Sequence, residues 1–129
     1  MLNTTKLVLS RTNKSRLFST FPSMPVLILL LLLAPQNYLV VIKDFTDSEC
    51  LQRRLNTRDE HLKGALINKA NNVISLGGAT LDNETDGKMD GSYILLEAES
   101  IKDIDTMLKA DPYYKAKVWE KWEIKPVKM

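Results

Sequence analysis

Val73-Ile74-Ser75-Leu76-Gly77-Gly78-Ala79, a polar Asp/Asn/Gly loop over residues 82–90, and Gly91-Ser92-Tyr93-Ile94-Leu95-Leu96-Glu97-Ala98 read as two strands that follow one another with no helix between them. Each is flanked on its outer side by a helical pattern. Before them, Thr57 and Glu60 have the spacing of a capping box, and Leu62, Ala65, Leu66 and Lys69 recur at helical intervals, so a helix is predicted over residues 57–71. Asn71-Asn72 suits a left-handed stop, and the helix-prone residues 48–55 are a candidate extra turn. After them, Ser100 caps a second helix with Asp103 at its third position and Ile101, Ile104, Met107 and Leu108 on one face. That helix must end near Asp111, because the residue before Pro112 is pushed out of the α region. Residues 38–45 and 118–126 supply the first and last strands, the latter with Val118, Trp122 and Ile124 on one face and Lys121, Glu123 and Lys125 on the other. The order is βαββαβ, an α+β ferredoxin-like sandwich with two helices on one face of an antiparallel sheet.

In that topology the first and third strands are central, and both are apolar on both faces: Tyr38, Val40 and Ile42 against Leu39 and Val41, and Tyr93 and Leu95 against Ile94 and Leu96. A sheet wetted on one side would alternate, so the face without helices is expected to be covered too, most simply by a second copy in a homodimer. A chain of 129 residues has room for one such domain, placed over residues 38–128.

The formal net charge of +2 hides an asymmetry. Five of the 18 basic residues precede Asp44, the first acidic one, so residues 44–129 hold 13 basic and 16 acidic residues. A mildly acidic domain lacks the basic face that binding to phosphate backbones needs, which argues against nucleic acid as a partner. The third strand also lacks the basic and multiply aromatic signature of an RNA-binding module of the same order, and Tyr93 alone reads as packing. Trp119 and Trp122 read as core or dimer contacts. A single cysteine, Cys50, forms no intrachain disulfide and reads as an ordinary semi-buried thiol. With one histidine and one cysteine far apart, no spacing resembles a zinc or haem site; metal dependence would rest on carboxylates alone, and no cofactor is expected.

Residues 1–23 are rich in Ser, Thr, Lys and Arg, contain no acidic residue and intersperse apolar ones, the pattern of a mitochondrial transit peptide, with Arg16-Leu17-Phe18-Ser19-Thr20 resembling a processing site. Residues 24–37 read as an apolar linker or leader remnant. Within them the aliphatic run 26–34 is too short to span a membrane, for which about 20 apolar residues are needed. It has the length of a secretory h-region, so a secretory leader, with Asn83-Glu84-Thr85 as a glycosylation sequon, is the rival reading, and a cytosolic start at Met24 is a third. Mitochondrial localisation is favoured.

Tracing the strand directions gathers residues 57–61, Gly77-Gly78, Gly91-Ser92 and Asp111 at one pole. Glycines at strand ends let a ligand approach the backbone, and the opening turn of a helix starting at Thr57 would offer free N–H groups. His61, one turn into that helix, would be kept neutral by the macrodipole, as a general base requires, and Asp111 could orient its ring. The plainer readings are an exposed helix histidine and an Asp111 that merely caps a turn starting at Pro112.

Arg53-Arg54-Leu55, Arg58 followed by His61-Leu62, Gly77, Gly91-Ser92, Glu97-Ala98-Glu99-Ser100, Ala110-Asp111-Pro112-Tyr113 and Lys125-Pro126 together resemble the YCII-related family over residues 38–128. The resemblance implies a ferredoxin-like dimer of the dimeric α+β barrel type and places the family's proposed catalytic histidine and aspartate on His61 and Asp111. One branch of the family eliminates chloride from chlorinated hydroxyquinones. Asp59 and Gly78 depart from the prolines that bacterial members tend to carry, and Val127 from an aromatic, so the substrate does not carry over. The expected function is a lyase or isomerase-like proton transfer by His61 and Asp111 on a small molecule held by Arg58, Gly77, Gly78 and Ser92, with Arg54 as a further anchor for an anionic or phenolic group. A non-catalytic ligand-binding or sensor module with the same pocket is the alternative.

Overall fold

Tyr38, Val40, Ile42 and Asp44 are buried while Val41 and Lys43 among them are exposed, so the strand that carries them, β1 (Gln36–Asp44), turns one face to helices and leaves the other open. The computed structural model describes residues 25–129. An eight-residue helix, α1 (Val26–Leu33), ends a separate unit at Ala34; the folded domain begins at Pro35. No helix among the described residues is long and apolar enough to cross a membrane. The basic leader and its processing pattern lie outside the described residues, and the stretch read as a linker ends inside β1, at Gln36 and Asn37.

The domain continues with α2 (Cys50–Ala70), β2 (Ile74–Leu81), β3 (Met89–Ala98), α3 (Ile101–Ala110), the single turn α4 (Pro112–Lys115) and β4 (Trp119–Val127). The sheet order is β2-β3-β1-β4 with every neighbouring pair antiparallel, the βαββαβ ferredoxin-like arrangement expected from the sequence. Its helix-side core is Val40, Ile42, Ile94, Leu96, Ile104, Leu108, Val118 and Trp119. The Ser100 side chain accepts from the Asp103 amide at 3.2 Å, and Asn72 takes the left-handed conformation (φ 59°) after α2, as read from their local sequence.

The start of α2 corrects the reading of Thr57. The helix is continuous from Cys50, so Thr57 lies in its interior and caps nothing. Asp47 supplies the earlier start: its carboxylate accepts from the Glu49 amide at 3.1 Å and from both terminal nitrogens of Arg53 at 2.7 and 2.9 Å. Arg53 in turn donates to the Lys117 carbonyl at 2.8 Å, tying the first turn of α2 to the approach to β4. His61 therefore lies about three turns into the helix, beyond the reach of the positive end of the macrodipole, and no free amides of the opening turn accompany it.

Two bulges also redirect side chains. In β4, Lys121 pairs with Lys43 and Trp119 with Asp44, leaving Glu120 unmatched. This step swings Trp119 onto the helix side, where it is fully buried. In β2, Ile74 pairs with Leu96 and Leu76 with Leu95, so Ser75 is the extra residue and Leu76 turns to the open face. At Gly91 a side chain would collide with the Ile42 carbonyl, so close backbone approach there requires glycine.

One ion pair joins sheet to helix. Arg54 Nη1 donates to both carboxylate oxygens of Asp44, at 3.0 and 2.9 Å, with both side chains about 5% exposed. Burial pushes the Asp44 carboxyl up from its ordinary range, and the guanidinium beside it opposes that rise. Arg54→Met is expected to cost about 3–5 kcal/mol, because it strands a buried carboxylate. Asp44→Leu combined with Arg54→Met should recover most of that loss in urea unfolding; a double-variant loss equal to the sum of the two single-variant losses would show that the pair's partners act independently.

Asp47 is held near a pKa of about 2, chiefly by its hydrogen bond from Arg53, against 3.8 ordinarily. A depressed carboxyl stabilises the fold above its unfolded pKa and ceases to as pH falls through the folded one. The stability difference between wild type and Asp47→Asn should therefore be full above about pH 5 and disappear between about pH 4 and 2; thermal unfolding across that range measures it.

Candidate active site

The stripe of α2 reading Arg54, Arg58, His61, Leu62, Ala65 faces a cavity of about 560 Å³ bordered by β2, β3, α3 and α4. His61, Asp111, Arg58, Gly77, Gly78 and Ser92, the residues expected to form the site, all line it. The cavity volume lies within the roughly 300–1,000 Å³ typical of small-molecule sites.

His61 and Asp111 meet. Nδ1 of the imidazole lies 2.9 Å from each carboxylate oxygen of Asp111. A carboxylate only accepts, so Nδ1 carries a proton; in the neutral ring that leaves the lone pair on Nε2, which has no hydrogen-bond partner among the described residues. Asp111 also caps α4, its Oδ1 accepting from the Tyr113 amide at 2.8 Å, with Pro112 as the first helical residue. The two readings of this aspartate are thus both correct. The cap holds the carboxylate in place, and the carboxylate holds the ring.

Aromatic packing completes the restraint. The Tyr113 ring stacks on His61 with centroids 4.0 Å apart and planes 16° apart, and Trp119 meets His61 edge-on at 5.5 Å. Tyr113 is itself buried, which raises its phenol pKa, and the Arg54 guanidinium lies 4.8 Å from its ring centroid. Neither aromatic was singled out as a site residue from the sequence. Tyr113 stands two positions from Asp111, which is a local signal; Trp119 reaches the site only through the bulge at Glu120.

Ser92 is 4% exposed, and its hydroxyl oxygen accepts from Arg54 Nη2 at 2.9 Å and from Trp119 Nε1 at 3.2 Å. With both lone pairs taken, its own proton remains to be donated. Arg54 Nε is buried without a partner, a second unspent donor in the cavity wall. Arg58 is exposed and forms no ion pair among the described residues. The glycines differ: a side chain at Gly77 would press on the Tyr93 carbonyl at 3.2 Å, whereas one at Gly78 would run into the Tyr93 ring, whose hydroxyl would stand 2.8 Å away. The bare backbone of Gly78 thus makes room for Tyr93 on the open face of the sheet. Cys50 takes no part; it is buried, donates to the Val118 carbonyl at 3.5 Å, and burial raises its thiol pKa. No cluster of three or more metal-ligating side chains occurs among the described residues.

Chemically, the constellation couples a positioned base to hydrogen-bond donors in a largely apolar chamber. That combination suits a proton transfer that creates negative charge on oxygen.

A search of solved structures finds the 5-chloro-2-hydroxyhydroquinone dehydrochlorinase of Burkholderia phenoliruptrix AC1100, in complex with 2,5-dihydroxybenzoquinone. It is 30% identical, over 71% of this chain and 93% of that one, with a TM-score of 0.62. A dimeric protein of unknown function with a ferredoxin-like fold from Bacteroides fragilis NCTC 9343 aligns at 16% identity over 74% of this chain and 96% of that one, with a TM-score of 0.40. No curated protein matches. The model of the YCII-related domain matches residues 37–128, and the chain belongs to that family.

Proposed function

We propose that this protein is a small-molecule lyase that removes a proton from a planar, hydroxylated carbonyl compound and expels a leaving group from it. The observation that supports this most is the two-oxygen grip of Asp111 on His61 Nδ1, which leaves Nε2 as the ring's lone-pair nitrogen on the wall of the cavity. In the proposed step the substrate reacts as the keto tautomer whose leaving-group carbon is tetrahedral, and Nε2 takes the proton of a ring hydroxyl. The O–H pair forms a carbonyl, a ring double bond shifts, and the leaving group departs with its bonding pair as an anion, so the net change is loss of an acid and no oxidant is required. The imidazolium is balanced by Asp111, and charge developing on the ligand oxygen meets the Ser92 hydroxyl and Arg54 Nε. The dehydrochlorinase at 30% identity, with its bound dihydroxybenzoquinone, supports a hydroxyquinone-like ligand.

Incubation with 5-chloro-2-hydroxyhydroquinone, followed by chloride release, tests the reading. His61→Ala is expected to lower turnover by about 10²–10⁴-fold, the range for loss of a general base. Binding without chloride release in wild type would instead identify a ligand-binding module. Because the chain has one histidine, its ¹⁵N spectrum needs no assignment. It should show a protonated Nδ1 and an unprotonated Nε2, and Asp111→Asn should mix the two tautomers; a spectrum unchanged by that substitution would remove the mechanism.

We further propose that the open sheet face joins two copies in a homodimer. The register aligns Leu39, Leu95 and Leu76 in one row and Val41, Tyr93 and Gly78 in the next. Val41, Tyr93 and Leu76 are 40, 37 and 47% exposed, so the rows form an apolar stripe across three strands. Tyr93→Lys is expected to give a folded monomer, whereas Ile94→Lys, on the core side, should unfold. Sedimentation of wild type as a monomer at micromolar concentration would defeat the assignment.

A further inference from the structure

The cavity is much longer than a single ring needs. Along α2 it is bounded from Arg54 to Lys69, roughly 22 Å of helix axis at 1.5 Å per residue. The polar groups concentrate at the Arg54 end, with Arg58, His61, Ser92 and Asp111. Past His61 the walls become apolar: Leu62, Ala65 and Leu66 from α2, Ile74 from β2, Ile94 from β3 and Met107 from α3. At the far end Asn68 and Lys69 form a polar rim. At Gly64 an added side chain would meet nothing within 4 Å, so no neighbouring element closes this stretch of the helix. A monocyclic dihydroxyquinone has about ten non-hydrogen atoms, whereas a cavity of this size accommodates a drug-sized molecule.

From this polarity gradient we infer that the ligand is amphipathic: a hydroxyquinone-like head at the His61 end and an aliphatic substituent that occupies the lobe lined by Leu62, Ala65, Ile74 and Met107. The inference rests on the hydroxylated-carbonyl reading of the head and extends it to the ligand's second half. The head's hydrogen bonds orient the ring. The chain adds affinity through burial, about 0.8 kcal/mol per methylene, or about fourfold. A substituent of this kind also distinguishes the ligand from the unsubstituted ring bound by the dehydrochlorinase.

Titration with 2,5-dihydroxybenzoquinone and its 3-propyl and 3-hexyl derivatives, followed by calorimetry, tests the lobe. The propyl derivative is expected to bind at least tenfold more tightly than the parent, and the hexyl derivative more tightly still. The ratio of hexyl to parent affinity should fall toward one in Ala65→Phe, which fills the lobe from α2. It should also fall in Leu66→Trp, a change at a position 64% exposed that the fold tolerates. Parent binding with no gain from the chain would overturn the amphipathic ligand and leave the head reading intact. A gain that survives both substitutions would mark the chain as adsorbed elsewhere and overturn it equally. Failure of the parent and both derivatives to bind would remove the hydroxyquinone head and the extended ligand together.

Discussion

A guanidinium beneath a sheet is tolerated where its charge is paired, and Arg54 meets that condition through Asp44, with Ser92 and the face of Tyr113 beside it and Nε its one unpartnered donor. These contacts draw β1, β3 and the turn before β4 onto α2. They also fix the depth of the cavity, because Ser92, held by Arg54, receives the indole of Trp119, and Trp119 borders His61. The site thus rests on a polar layer that is itself inside the core. That layer stabilises only while complete: each partner removed alone leaves another buried without a counterpart.

Asp111 extends the same logic to the reacting end. A carboxylate that served only His61 would sit on a chain end free to move, since α3 finishes at Ala110. Capping α4 fixes it through the Tyr113 amide, while Pro112 sets the backbone for that turn. The following residue, Tyr113, then places its ring flat on the imidazole. A four-residue turn thereby defines the histidine's tautomer, its plane and the nitrogen left for the ligand. The macrodipole that the sequence reading invoked does not reach His61, which lies about three turns into α2; its ring is oriented by the carboxylate.

The elements whose signals are local were legible from the residues: Ser100 and Asp103 for the start of α3, Asn72 for the end of α2, Asp111-Pro112 for the turn, and the two-sided apolar strands for their central places in the sheet. Thr57 and Glu60 misled because a capping box is a pattern of residue types, and Asp47, by engaging Glu49 and Arg53, had already begun the helix upstream. Trp119, read as a core or dimer contact, is in the core; that it also borders His61 was not legible, because alternation counted back from Trp122 puts it on the other face and a bulge at Glu120 has no residue signature. The ion pair of Asp44 and Arg54 could not be read from spacing, since a strand and a helix must first pack before their partners are known. His61 and Asp111 were paired from topology and from family resemblance; the topology brings α2 and the end of α3 together, but the cap that aims the carboxylate is a matter of side-chain geometry.

The charge balance at the head of the cavity bears on the chemistry it can support. Arg54 and Asp44 cancel, and beside the imidazole the remaining charged side chains at this end are Asp111 and the exposed Arg58, which also offset one another. A neutral hydroxyl compound can therefore enter without a large electrostatic penalty. In the proposed transfer to Nε2, the imidazolium would face Asp111 and the new oxyanion the donors of Ser92 and Arg54, so both charges would arise already opposite their partners. A ligand that arrived as a strong anion would gain from Arg58 but would confront Asp111 before any proton had moved. The proposed transfer thus favours compounds whose acidity is released inside the site: in it Arg58, exposed and without an ion-pair partner among the described residues, would attract and orient the ligand, and Arg54, neutralised by Asp44, would stabilise what the transfer creates.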